Sequence, residues 1–522
     1  MYLSGNKNHY VKVRDKAVDL KETKDLYGRL MVLARSNRDI DQKQAIGEHE
    51  FTLTPRSLFA PDGTVLPCSD ESKLIHSLQK MVPGPQEQNE LAETNESQGQ
   101  KIAVVDGMVL VQKLYTKSAS VNTVKDLSIY FNERLMNITR DYDEIIVAFD
   151  TYKEDSLKNK TRQRRQKEKA PVLYQVKDET SIRHITLTKF LSHNQTKSQL
   201  TEYLANKILV YNKDSPKLVL TSAAGKTRSN RDIGHLPDNN HEEADTLMKC
   251  LGVSATERNS VDSQMTFFSP DTDVLVLVIA NYDRLPRNTF VSMVSNMQQI
   301  EPIWEVLGHR RAQALPGFHA FSGADITGRF ARIGKQTWFK LFLDAGEDVL
   351  QALGKLGDEI DFSPDLQNTL AKFVCSAYCP KGINISHIPE LRWHLFCKHM
   401  AESEKLPPTI GALKQHILRA HVQARVWDQA SLYNQELLDP KKNGYCLDND
   451  GHLKPTTTEF PPAPLAIVEM VRCQCKSGCS TNRCSCKSVN LPCTDLCLCS
   501  SVCENDADSQ DFENESDDEI VV

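Results

Sequence analysis

Seven acidic residues stand where short apolar runs end. KIAVVD closes on Asp106, EIIVAFD closes on Asp150, and MTFFS leads into SPDTD, which carries Asp271 and Asp273. HEEAD adds Glu243 and Asp245, and FSGAD adds Asp325. If the runs are strands of one sheet, their ends deliver carboxylates to a single edge. Carboxylates gathered this closely repel one another and raise their own pKa values unless cations neutralise them, so hard divalent ions such as Mg²⁺ or Mn²⁺ are the natural occupants. Taken singly, each acid also reads as a helix N-cap or a turn former.

A second set of ligands is softer. Nine of the 15 cysteines fall in one short stretch: Cys473, Cys475, Cys479, Cys484, Cys486, Cys493, Cys497, Cys499 and Cys503. Thiolates suit Zn²⁺, and a segment with few large apolar residues cannot build a core without it. The odd count argues against disulfide scaffolding. Cys375, Cys379, His387, His394 and Cys397 follow no zinc-ligand spacing and read as residues of a helical core.

The elements that must position these groups follow from patterning. The runs at 101–106, 144–150, 216–222, 265–269 and 289–294 read as buried strands, and VKDLSIYFNERLMNIT at 124–139 as an intervening helix. Strands alternating with helices predict an α/β parallel sheet with ligands at strand C-termini. A polar linker, 86–100, separates this region from an N-terminal segment, 1–85. Beyond it, 346–440 reads as a helical extension, with Thr409 as an N-cap for the helix that follows. A Pro- and Thr-rich linker spans 441–466, the cysteine-rich domain 467–504 and an acidic tail 505–522.

The chain has 522 residues, 40% hydrophobic and 25% charged, which fits globular domains and excludes collagen-like or coiled-coil architecture. Its net charge of −6 is dominated by residues 504–522, with nine acids and no bases; before them stand 63 bases against 60 acids. Bases concentrate in KEDSLKNKTRQRRQKEK, 153–169, which reads as a nucleic-acid-attracting stretch, a solvated helix face or a nuclear-localisation signal. The longest apolar run, Val274 to Ala280, is too short to span a bilayer, so no membrane partner is expected. The cysteine usage predicts an intracellular, reducing compartment.

The ordered acids resemble the PIN-like nuclease core of the flap-endonuclease/XPG family over residues 101–345. VVDGMVLVQKL matches the first motif through Asp106, VAFD the second through Asp150, and Ser269, Asp271 and Asp273 an S-x-D-x-D motif. Glu243-Ala244-Asp245 is similar to the ExE motif, and Gly323-Ala324-Asp325 to the GxD motif. This sequence departs from the family at Ile326, where a tyrosine is usual, at Asp245, in a polar insertion at 226–240, and in the residues preceding Asp106. The resemblance implies two-metal hydrolysis of phosphodiester bonds in DNA or structured nucleic acid, with Asp106, Asp150, Glu243, Asp245, Asp271, Asp273 and Asp325 as catalytic metal ligands. It also implies nucleic-acid contacts by Lys158, by Arg164 or Arg165 in a basic arch, and by Lys335 in a helix-turn element. Trp338 and Phe339 there read as packing residues.

The cysteine spacing resembles the CXC (tesmin/TSO1-like) domain, in which nine cysteines hold three zinc ions. That resemblance implies a nuclear setting and a DNA or chromatin-protein partner. The combined layout looks like that of multidomain proteins associated with mobile elements in animal genomes. The resulting expectation is a parallel-sheet nuclease core, a helical extension and a small zinc-thiolate domain. Its alternative is a catalytically silent nuclease fold serving as an adaptor.

Overall fold

The computed structural model describes residues 9–13, 16–20, 41–52, 54–68, 70–82, 99–114, 121–153, 156–158, 171–260, 262–293, 297–358, 363–399 and 403–464, together with 473–476, 478–489, 493, 497–499 and 503–505. Arg164, Arg165, most of the basic stretch and nearly all of the polar linker and of the acidic tail lie outside the described residues. The chain forms two compact units, Met1–Leu66 with Ala371–His416 and Pro455–Val522, and Pro67–Leu370 with Ile417–Lys454.

The strands among the described residues are β1 (His9–Val13), β2 (Lys16–Leu20), β3 (Lys101–Asp106), β4 (Glu144–Ala148), β5 (Leu218–Ala223), β6 (Lys226–Ser229), β7 (Gln264–Phe268), β8 (Asn288–Ser292), β9 (Met297–Gln299), β10 (Tyr445–Leu447) and β11 (Leu453–Pro455). Helices α1 (Gln42–Glu48), α2 (Ser72–Gln79), α3 (Gly107–Leu114), α4 (Val124–Ile138), α5 (Leu187–Phe190), α6 (Asn194–Tyr211), α7 (Ala244–Arg258) and α8 (Thr272–Ala280) come first. They are followed by α9 (Glu301–Leu307), α10 (His309–Ser322), α11 (Lys335–Leu343), α12 (Glu347–Gly354), α13 (Pro364–Tyr378), α14 (Ile388–His399) and α15 (Ile410–Asp428).

The larger unit is a mixed α/β fold on a seven-stranded sheet of order β6-β5-β4-β3-β7-β8-β9. Its five central strands are parallel, as alternating strands and helices require, and each edge is closed by an antiparallel strand. The edge strands were not foreseen. β6 falls in the polar stretch KTRS, which has no apolar face to announce a strand, and β9 spans only Met297–Gln299.

Both faces of the sheet are covered, which explains the continuous apolar runs. On one face, Ala103, Val105, Ile145, Val147 and Val219 meet Leu127, Phe131 and Leu135 of α4 and Leu200 and Leu204 of α6 in one core. The alternate residues Ile102, Val104 and Ile146 are equally buried, and α7 packs on β3 and β4. α4 begins with a reciprocal capping box: Thr123 Oγ1 accepts from Asp126 N at 3.2 Å, and Asp126 Oδ2 accepts from Thr123 N at 3.0 Å. Such a cap holds the first turn while Val124, Leu127, Phe131 and Leu135 face inward at helical spacing.

Strand order reverses between β3 and β7: the chain builds outward through β4 and β5 on one side, then through β8 on the other. A crevice opens at the carboxyl ends of the strands at such a switch point. Asp106 ends β3, and Asp271 follows β7.

In the smaller unit, α14 packs on α1. Its anchor is Arg392, 1% exposed, which donates to the carbonyls of Ile46 and His49 at 2.9 Å each and also to that of Pro407. Glu50 lies 3.5 Å from the same guanidinium and accepts from Thr409 N at 2.7 Å. A buried guanidinium needs this many acceptors to offset its lost hydration. No helix among the described residues is long and apolar enough to cross a membrane.

Candidate metal centre

All seven acids singled out by the sequence line one cleft of ≈ 900 Å³ at the C-terminal edge of the sheet. Three of them accept from amides at helix N-termini, whose free N–H groups and positive dipole end favour a carboxylate. Asp106 Oδ1 accepts from Val109 N at 2.9 Å at the start of α3, and Asp271 Oδ1 accepts from Asp273 N at 2.9 Å at the start of α8. Asp150 Oδ1 accepts from Ala244 N at 2.8 Å, tying the end of β4 to the first turn of α7, where Glu243 is the cap residue and Asp245 is the second helical residue. At these positions an acid both accepts from a helix-start amide and lines the cleft.

Two glycines set the spacing. A Cβ on Gly107 would come within 2.3 Å of the Phe149 ring, so its absence lets Asp106 and Asp150 sit side by side. Gly323, at φ +129°, turns the chain out of α10 toward Asp325, and a Cβ there would meet Arg329 Cα at 3.0 Å.

Carboxylate oxygens of Asp245, Asp271 and Asp273 lie within 4.8 Å of one another. At an effective dielectric of about 20, two ionised groups at that distance repel by roughly 3 kcal/mol, so several cannot stay charged unaided. The titration of the site reflects this. Burial, then the charge of Asp150, pushes Asp106 up to about 7. Asp271 reaches solvent, yet desolvation by the cleft walls and then Asp273 lift it to about 6. Asp245 is held well above the usual range by desolvation and then by Asp271 and Glu243.

Lys158 supplies a positive charge on the cleft wall. Its Nζ lies 2.7 Å from Glu243 and 3.6 Å from Asp325. Burial works against its charge, but Glu243, Asp325 and Asp273 outweigh it and hold the ammonium above its ordinary range. The two lysines that line the cleft, Lys158 and Lys197, do not balance seven carboxylates, and an all-oxygen donor set of this density fits hard divalent cations.

Lys335 is a correction to the sequence reading. Expected at a nucleic-acid backbone, it is 1% exposed, and its Nζ donates to the carbonyls of His319 at 3.0 Å and Gly323 at 2.6 Å. It pins the turn that carries Asp325 and reaches no solvent. Trp338 and Phe339 are buried, Trp338 edge-on to Phe321, as packing residues.

Two site residues were missed. Glu71, just before α2, lines the cleft as an eighth carboxylate; its Oε1 is buried without a hydrogen-bond partner, and burial, then Asp273 and Asp325, lifts it to about 8. The helix it precedes packs on α8 and α11, and Asp70 beside it accepts from Lys335 N at 3.0 Å. His319, fully buried on α10, lies with Nε2 2.9 Å from Asp273 Oδ1 and its ring stacked on Trp427 at 5.3 Å. Burial drives its pKa well below the ordinary value, so the contact is a hydrogen bond from a neutral ring, Nε2–H donating, and it fixes the carboxylate's orientation. Neither residue carries a local signal; a lone Glu after Asp70 and a His inside HRRAQALPGFHAFS look ordinary.

The cysteines form a cluster of their own. Three overlapping sets of four sulfurs each fall within 4.8 Å: Cys473, Cys486, Cys493 and Cys497; Cys473, Cys479, Cys493 and Cys499; and Cys473, Cys475, Cys479 and Cys484. Cys503 packs against the same cluster. Burial and neighbouring thiols raise Cys499 to about 12, a penalty that a soft cation would remove. Cys375, Cys379, His387, His394 and Cys397 do not assemble as a ligand set among the described residues; Cys375 is buried, Cys379 donates to Ile383 O at 3.0 Å, and Cys397 is exposed.

No family model matches the chain, and no curated protein matches it. Among solved structures it is similar to a flap endonuclease of bacteriophage T5, in a pseudo-enzyme–product complex with DNA and metal ions. The identity is 10%, covering 63% of this chain and 91% of that chain, with a TM-score of 0.31. At that score nothing about this chain follows from the alignment, and the α/β class stands on the strand order itself.

Proposed function

We propose that the larger unit is a divalent-cation-dependent phosphodiesterase acting on nucleic acid, DNA before RNA, and that the cysteine segment is a zinc-holding module of CXC type. The observation that carries the first part is the convergence of eight carboxylates in one cleft at the sheet's switch point. Asp245, Asp271 and Asp273 would hold one Mg²⁺ or Mn²⁺, with Asp106, Asp150, Glu243, Asp325 and Glu71 completing the donor set. Such ions, when bound, lower the pKa of water and neutralise charge developing on a phosphoryl group. The chain's own residues do the rest: His319 orients Asp273, the first turns of α3, α7 and α8 fix the acids, and Lys158 offers an ammonium to a phosphate oxygen. For the cysteine module we propose three zinc ions, a nuclear setting and a chromatin protein or DNA as partner.

A second reading, a catalytically silent adaptor, is favoured by one observation: Lys158 already pairs with Glu243 and Asp325. The deciding experiment compares wild type with Asp271→Ala on single-stranded, duplex and branched DNA and RNA, with Mg²⁺ or Mn²⁺. Loss of cleavage by about 10³-fold in the variant supports the enzyme. Absence of cleavage by the wild type, with nucleic acid still bound, supports the adaptor, and equal cleavage by both removes the site assignment.

A further inference from the structure

Beside the carboxylate cleft the larger unit holds another cavity, ≈ 490 Å³, that shares Lys158 and Glu243 with it. Ile326, next to Asp325, is part of its wall, and Leu157, Val422, Val426 and Leu437 make it largely aliphatic. Gln423 also lines it, on the part of α15 that belongs to this unit. Its side chain is 1% exposed, and neither Oε1 nor Nε2 has a hydrogen-bond partner. Gln435, on the same wall, is satisfied by the Val426 carbonyl at 2.7 Å. A buried amide with both its donor and its acceptor unmatched is costly, and native proteins keep such a group where something else completes it.

The occupant must therefore be flat or compact with apolar faces, must carry a donor beside an acceptor on one edge, and must belong to something that also enters the cleft. A nucleobase meets all three conditions. A glutamine amide is the complement of adenine's amino group and ring nitrogen, and aliphatic walls contact base faces. A base also hangs one sugar away from its phosphate, which matches two cavities joined at Lys158 and Glu243. We propose that this cavity receives one unpaired base of the nucleic acid bound at the cleft, adenine preferred, and that Gln423 reads its edge. The inference rests on the nucleic-acid reading above.

The test uses the full chain with Ca²⁺ in place of Mg²⁺ and single-stranded oligonucleotides carrying 2-aminopurine at one position, moved stepwise along the strand. Emission rises at one position, where the base leaves its stack. At that position the affinity for adenine over an abasic sugar is about tenfold, and in Gln423→Leu and in Leu437→Trp the ratio falls to near one. Leu437 is 53% exposed, so its replacement fills the cavity from the surface side, and binding of the abasic strand reports that each variant is folded. Gln423→Leu also melts about 2–4 °C higher, because two unmatched polar atoms are gone. A wild type that binds strands with no responding position, or a ratio unchanged in both variants, overturns the base pocket and leaves the phosphodiesterase reading intact. A wild type that binds no oligonucleotide overturns both.

Discussion

At the cleft, Asp106, Asp150 and Asp271 follow strands whose side chains are packed on both faces whether or not a cation is present. In the cysteine cluster, the buried side chains are the thiols themselves: Cys473, Cys479, Cys484, Cys486, Cys493 and Cys497, with Cys475, Cys499 and Cys503 around them. One site is imposed on a core and the other substitutes for a core. The difference teaches what each metal would do. At the cleft a cation relieves repulsion that the fold already tolerates, whereas at the cysteines it supplies the cohesion.

The comparison breaks most visibly on metal removal. A strong zinc chelator at neutral pH is expected to melt residues 473–505, since a structural zinc site contributes on the order of 10 kcal/mol. The larger unit should keep its own transition. Limited proteolysis and calorimetry check this, and a cysteine segment that stays protease-resistant without zinc would show a core that the cluster lacks.

The cleft responds to pH instead. Asp106 titrates at about 7 and Asp271 at about 6 in the folded chain, above an unfolded aspartate near 3.9. The native state therefore holds more protons across this window, and stability falls as pH rises from about 4 toward 7. Without added Mg²⁺ or Mn²⁺ the larger unit should melt lower at pH 7.5 than at pH 5.5. Asp106→Asn should flatten that slope, and millimolar Mn²⁺ should raise the melting point most at the higher pH.

The smallest effect concerns Lys335. Lys335→Met leaves the carbonyls of His319 and Gly323 without their donor, at about 1–3 kcal/mol, or a melting point lower by a few degrees. The salt dependence of nucleic-acid binding should keep its slope, because an interior ammonium neutralises no phosphate. A slope smaller by about one in magnitude would return Lys335 to the interface.

The strands and their acids were legible because a strand buried on both faces is written as a short unbroken apolar run, and Asp106, Asp150 and Asp271 stand at the ends of such runs. The helices from α11 onward announced themselves by periodicity, with Thr409 accepting from Ala412 N at 3.3 Å as the expected cap. β6 was not legible, since an edge strand needs only backbone partners and KTRS carries no apolar face.

From its sequence alone this chain determines which residues are able to ligate: seven carboxylates at run ends and nine thiols at close spacing, because ligand chemistry and local periodicity are properties of neighbouring residues. Tertiary structure decided which other groups join them. Glu71 and His319 reach Asp273 from about 200 and 46 positions away, Lys335 turns inward to hold the Asp325 turn, and Gln423 arrives at the cavity beside Lys158. Those choices depend on which helices pack over the switch point, and packing between distant segments leaves no periodicity in either one.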